Sequence, residues 1–230
     1  MKIEIFDDAD SVARTAAAFI ATQARAAVGE RGRFILATSG GQTPWRMLSY
    51  LAHEEVPWDR LHLFQVDERI VPLGHPDRNL THLRESLLAH APLRAQQIHA
   101  MLVESSDLEA AAASYAQDLS AIAGSPPILD LVHLGLGADG HTASLVPGDS
   151  VLDVTGSDVA PTGVYQGRRR MTLTYPLLNR SRQILWIVTG REKAGMFSRL
   201  CAGDLSIPAG RVNRRQALVL ADCAAAGKTV

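Results

Sequence analysis

Short apolar runs alternate with amphipathic, alanine-rich stretches along the whole chain, and several of the apolar runs stop at glycine. That alternation constrains the fold most, because strands separated by helices predict an α/β architecture, a mostly parallel sheet with helices on both faces. Residues Lys2–Phe6 predict a short strand, and 8–28 a helix with Asp10 or Ser11 as its cap. The run 33–38 (RFILAT) breaks into Ser39-Gly40-Gly41, and Pro44 then takes a first helical position ahead of a helix over 45–53. Further strands are expected at 61–66, 128–134, 171–174, 184–189 and 218–220, and further helices at 79–90, 107–123 and from Arg191 onward. Ser125-Pro126-Pro127 marks a loop, and 148–167, the weakest-patterned stretch, is expected to be a mobile one. Such sheets bind ligands beyond the carboxyl ends of their strands, so the residues that follow strands are the ones to weigh for function.

Composition narrows the partners. The 230 residues suit one α/β domain over 1–230, long enough to bury about 70% of its unfolded surface. A net charge of −1 and a pI near 6.7 leave no global field to hold nucleic acid or an anionic membrane, so neither is expected as a partner. An anionic ligand has to be met by a local cluster. No stretch approaches the roughly 18 apolar residues of a membrane span, and the acidic start MKIEIFDDADSVA is unlike a signal peptide. Cys201 and Cys223 lack CxxC spacing and read as reduced thiols. A cytoplasmic protein, monomeric or weakly homo-oligomeric, is expected.

Three constellations carry chemistry. In Ser39-Gly40-Gly41-Gln42-Thr43-Pro44 a strand passes through glycines into a helix start, whose free N–H groups and positive dipole end make a cradle for a phosphate monoester. The nucleotide P-loop lysine is missing, which argues against ATP, and a tight βα turn is the alternative use. Asp67-Glu68-Arg69 ends a strand, where two acids and an arginine can orient a hydroxyl, position a histidine and bind phosphate, or form a surface salt-bridge cluster. Asn79 can cap a helix or reach the same crevice. The third, Gly135-Leu136-Gly137-Ala138-Asp139-Gly140-His141-Thr142-Ala143-Ser144, puts a histidine in a glycine-rich loop beside a carboxylate. Imidazole titrates near neutral pH, so His141 is the candidate general base, with Asp67 or Asp139 fixing its tautomer and the amides of 137–140 as candidate oxyanion donors. Residues 142–144 are expected to begin a helix. G-L-G-A-D-G is not a dinucleotide fingerprint, since no acid closes a strand some twenty residues on. Lys193 lies one turn into a helix after a strand, and Arg168-Arg169-Arg170 is the only basic run. His62, His75, His82, His90 and His99 have no ligand-like spacing. No GxSxG elbow is present, so no serine nucleophile is implied.

SGGQTP, then VDER with Asn79 beyond it, then GLGADGHTASLVPG, resemble the 6-phosphogluconolactonase family. RMTLT at 170–174, Asn179, TGREKA and PAGRV at 208–212 agree, and the resemblance covers roughly residues 1 to 225. It implies a modified Rossmann-like α/β fold, no metal or cofactor, and a phosphorylated sugar lactone as the small-molecule substrate. It also implies His141 as general base, with Asp67, Arg69 and Lys193 lining the site. The phosphate is then expected at Ser39, Gly40, Gly41 and Thr43 with Arg69, Lys193 and Arg170, and Asn79, Gly137 and Gly140 are expected to border the substrate. Gln42 departs from the family's usual Ser or Thr, Val146 from Phe, and Arg78 from Ser. In glucosamine-6-phosphate deaminases, which share the Asp-Gly-His loop, a Glu follows in a stretch like Ile-Ala-Phe-Asn-Glu-Pro; here Thr-Ala-Ser-Leu-Val-Pro supplies no carboxylate. A non-catalytic sugar-phosphate sensor is the other alternative.

Overall fold

In the computed structural model, which describes residues 1–228, the chain opens with β1 (Lys2–Phe6), α1 (Ala9–Arg31), β2 (Phe34–Thr38) and α2 (Gln42–Leu51). Then come β3 (Leu61–Gln65), β4 (Asp67–Arg69), α3 (Asn79–Leu83), β5 (Ile98–His99) and α4 (Leu108–Ala123). The second half holds β6 (Leu131–Gly135), β7 (Val159–Pro161), β8 (Arg170–Leu173), α5 (Tyr175–Arg180), β9 (Ile184–Val188), α6 (Ala194–Ala202) and β10 (Ala217–Asp222). Seven strands form one sheet in the order β1-β10-β9-β6-β2-β3-β5, parallel at each pairing. From β2 the chain moves outward to β3 and β5, and from β6 it moves the other way to β9 and β10. β2 and β6 are neighbours, so the order reverses between them, and a crevice opens beyond their carboxyl ends.

Strand periodicity divides the core. Phe34 and Leu36 of β2 join Leu185 and Ile187 of β9 in a layer under α1 and α2, while Ile35, Ala37, Ile184 and Trp186 face α4, α5 and α6. Alanines 13, 16, 17, 21, 24 and 27 on the buried side of α1 let that helix sit close to the sheet. Its cap is Asp8, in extended backbone with its carboxylate accepting from the Ser11 amide at 2.7 Å, and not Asp10 or Ser11. Asp10 is engaged elsewhere, accepting from Tyr50 Oη at 2.6 Å and Arg14 Nε at 2.8 Å. Among the described residues no helix is long and apolar enough to cross a membrane.

Several expectations are corrected. The strand read at 171–174 is β8, and it lies outside the parallel sheet, pairing antiparallel with β4 and β7 in a second, three-stranded sheet. Its short apolar run fits either pairing, and the partners β4 and β7 are three residues each, too short for alternation to show. The stretch 148–167, read as a loop, contains a 3₁₀ turn at Ser150–Asp153, β7 and the bend joining β7 to β8. The helix read over 79–90 changes pitch after α3 and continues as a π turn over Arg84–Leu88. Residues 142–144 do not start a helix: Leu145 N donates to Thr142 O at 2.9 Å, closing a tight turn that holds Ala143 at φ 52°.

Candidate active site

The reversal crevice is a cleft of about 500 Å³, within the range of small-molecule sites. Its floor is the loop after β2. Gly40 is required because Asn79 packs against it, and a Cβ there would lie 2.0 Å from Asn79 Oδ1. Ser39 N donates to Nδ1 of the fully buried His133 on β6 at 3.3 Å, which places that ring's proton on Nε2. Burial lowers the His133 pKa to about 3, so the ring is neutral. α2 starts immediately after Gly41, and its first-turn residues Gln42 and Thr43 line the cleft. Thr43 Oγ1 and Thr189 Oγ1, 2.8 Å apart, tie this loop to the end of β9.

The second wall comes from β4 and β8, whose register sets Arg69 beside Arg170. The Nε atoms of both arginines are buried without a hydrogen-bond partner, as are Ser39 Oγ and Asn79 Oδ1. Orphaned polar atoms gathered around one cleft are what a polar ligand completes. Burial pulls the Arg170 guanidinium below its ordinary value. Arg69 Nη1 donates to Asp77 O at 2.7 Å. Lys193, at the start of α6, closes the cleft from a third side. Arg69, Arg170 and Lys193 against Asp67 and Glu192 leave the cleft locally positive in a chain of net charge −1.

Neighbouring acids at 67 and 68 do different things. Glu68 is buried and accepts at 2.8 Å from Gln65 Nε2 and from the amides of Arg69, Asn79 and Leu80, stapling β4 to the start of α3. Burial raises its pKa, opposed by those donors. Asp67 lines the cleft and is held by Ser144 Oγ at 2.6 Å and Asn79 Nδ2 at 3.4 Å.

The loop after β6 brings His141 to the cleft with Asp139 behind it. His141 Nδ1 lies 2.6 Å from Asp139 Oδ1, which also accepts from the His141 amide at 3.1 Å. Asp139, and not Asp67, is therefore the carboxylate in contact with the imidazole. Desolvation works to raise the Asp139 carboxyl, but hydrogen bonds from His141 and Tyr165 and the imidazole charge outweigh it and leave it below its usual range. Two of the loop's amides are committed: Gly137 N–H donates to His141 O at 2.8 Å and Gly140 N–H to Gly137 O at 3.0 Å. They are not free to receive an oxyanion. Gly137 lines the cleft, and a Cβ there would lie 2.1 Å from His141 Nδ1. Gly140 faces away, with φ 87° and Ile207 where a Cβ would go.

Eleven of the thirteen site residues expected from sequence thus line one cleft: Ser39, Gly40, Gly41, Thr43, Asp67, Arg69, Asn79, Gly137, His141, Arg170 and Lys193. Asp139 stands one contact back, and Gly140 serves packing. Sequence reasoning missed Thr189, Glu192, Ser144, His133 and Tyr165. The first two follow β9 directly, and the strand-end rule could have found them; Tyr165 sits where the pattern is weakest. Among the described residues no three His, Cys, Asp or Glu are grouped to hold a metal ion.

A family model described as glucosamine-6-phosphate isomerases/6-phosphogluconolactonase matches residues 7–220. A 6-phosphogluconolactonase of Mycobacterium tuberculosis is 37% identical over 240 residues, which cover 98% of this chain and 97% of that one. One of a Nostoc species is 33% identical over 232 residues, covering 98% and 96%. The solved 6-phosphogluconolactonase of Thermotoga maritima superimposes with a TM-score of 0.85 at 26% identity, over 96% of this chain and 98% of its own. A monomeric glucosamine-6-phosphate deaminase reaches a TM-score of 0.87 at 19% identity, a likeness of fold. The chain belongs to the glucosamine-6-phosphate isomerase/6-phosphogluconolactonase family.

Proposed function

We propose that this chain hydrolyses 6-phospho-D-glucono-1,5-lactone to 6-phospho-D-gluconate, in the oxidative branch of the pentose phosphate pathway, with water activated by His141. The observation that carries the reading is the His141–Asp139 contact at the edge of a cationic cleft. A proton shared between Nδ1 and Asp139 leaves the Nε2 lone pair as the ring's base. Nε2 takes a proton from water as its oxygen attacks C1, and the ring C1–O5 bond breaks as the tetrahedral adduct collapses. The imidazolium returns the proton to the departing O5. Charge on the carbonyl oxygen develops in the field of the cleft's cations, since the 137 and 140 amides are spent. The phosphate is held by the residue 39–43 loop with Arg69, Arg170 and Lys193, and Asn79 and Asp67 face the sugar hydroxyls. The chain works as a single domain in the cytoplasm, monomeric or weakly self-associated, without metal, cofactor or nucleic acid.

The test is opening of freshly made 6-phosphogluconolactone by chelator-treated protein against a matched spontaneous blank, alongside ammonia release from glucosamine 6-phosphate. Acceleration of the first with none of the second is expected, because 142–147 supplies no carboxylate for ring opening and amine loss. Ammonia release without lactonase activity, or binding with neither turnover, overturns the reading in favour of a deaminase or a sensor.

A further inference from the structure

Behind the His141–Asp139 pair lies a residue that touches both the base and the phosphate side of the cleft. Tyr165, in the bend joining β7 to β8, donates its hydroxyl to Asp139 Oδ2 at 2.8 Å, the carboxylate oxygen His141 does not use. The same hydroxyl is 3.5 Å from His141 Nδ1, and the two rings meet edge to face with centroids 5.3 Å apart. The Arg170 guanidinium lies over the Tyr165 ring, 5.0 Å from its centroid. Desolvation and the neighbouring carboxylate raise the phenol's pKa, so it remains a donor across the neutral range. Tyr165 and Asp139 are not among the residues lining the cleft, so the phenol acts through its neighbours and not on substrate.

We propose that Tyr165 is a positioning residue that fixes the Asp139 carboxylate through its hydroxyl and seats Arg170 through its ring, holding the base and a phosphate cation in mutual register. The proposal rests on the lactonase reading for its kinetic consequences, but the geometry it asserts is independent of which reaction occurs. A carboxylate free on one side can rotate and release the imidazole to its other tautomer, which misplaces the base without removing it. The bend itself is anchored by Arg168, whose Nη2 meets Asp77 Oδ2 at 2.6 Å.

Two substitutions separate the hydroxyl from the ring. Tyr165→Phe keeps the edge-to-face contact and the cation–π contact and loses the bond to Asp139; kcat is expected to fall about tenfold with KM nearly unchanged. Tyr165→Ala loses both, and KM for the phosphorylated lactone is expected to rise as well, roughly fivefold, from the unsupported guanidinium. Nitrogen-15 spectra of ring-labelled His141 give a readout that needs no turnover: wild type holds the proton on Nδ1, and Tyr165→Phe shifts population toward the Nε2–H tautomer. Thermal melts check that both variants fold. Wild-type kcat together with an unchanged ring signal in Tyr165→Phe overturns the proposal, and so does a KM effect in Tyr165→Phe equal to that in Tyr165→Ala. If wild type opens no lactone while the ring signal still shifts, the functional reading fails and the positioning role stands.

Discussion

Gly137→Ala tests the site with one added carbon. The glycine has no left-handed backbone requirement, so the effect comes from space alone. The new Cβ would lie 2.1 Å from His141 Nδ1, 2.3 Å from its Cε1 and 2.7 Å from Asp139 Oδ1, where ordinary contact begins at about 3.5 Å. The imidazole must withdraw by about 1.4 Å, the difference between 3.5 and 2.1 Å, and its bond to Asp139 goes with it. A 1 Å misplacement at a reacting group can cost about a hundredfold, or roughly 2.7 kcal/mol of barrier. We therefore expect kcat down at least about a hundredfold in a proton-release assay against a blank. The fold should survive, because both side chains are partly exposed and can move aside. A stability loss of about 1 kcal/mol, or about 2–4 °C in Tm, is expected. Gly195→Ala, where an added Cβ meets nothing within 4 Å, is the control and should leave activity intact. A Gly137→Ala kcat within threefold of wild type would refute both the role of His141 and the argument from its packing.

His141→Ala should lower kcat by about a hundredfold or more with KM little changed, the range for losing a general base, as measured on purified folded protein. Arg69→Ala and Lys193→Ala should each weaken kcat/KM for the phosphorylated lactone by about 1.5–3 kcal/mol and leave unphosphorylated gluconolactone comparatively untouched; equal losses on both substrates would exclude a phosphate role. His133 supplies an acid-stability prediction. Its folded pKa of about 3 lies below the 6.5 of an ordinary imidazole, so below pH 6.5 the unfolded chain binds a proton the folded chain refuses. Stability from this group is complete above pH 6.5 and is lost as pH falls toward 3, by about 1.4 kcal/mol per unit. Denaturant melts at pH 7.5 and 5.0 should show His133→Gln about 2 kcal/mol less pH-sensitive than wild type, and identical sensitivities would sink the assignment.

Most of the parallel sheet could be read from sequence because its strands are buried on both faces and appear as apolar runs ending in glycine, as at 34–41 and 131–137. The rule that ligands sit at strand ends then found the cleft. What was hidden depends on short elements and distant partners. β4, β5 and β7 have two or three residues each, and their pairing is set by the chain around them. Choosing between Asp67 and Asp139 required the third dimension, since Asp67 is taken by Ser144, a residue 77 positions away. The spent amides of the glycine loop were equally invisible: a glycine-rich sequence shows that backbone can approach a ligand, not whether its N–H groups are already bonded.

Val159 and Leu173 face each other across the β7–β8 register, so the fourteen-position excursion between them begins and ends at one place on the small sheet. Arg168, Arg170 and Tyr165 all ride on that excursion. It therefore behaves as an exchangeable cassette, and its length can change without disturbing the sheet that carries His141. On the lactonase reading, drift within it would alter anion affinity and the aim of the base together. Laboratory selection for unphosphorylated or differently sized lactones should accumulate changes between 162 and 169, and those gains should come with slower turnover of the original substrate.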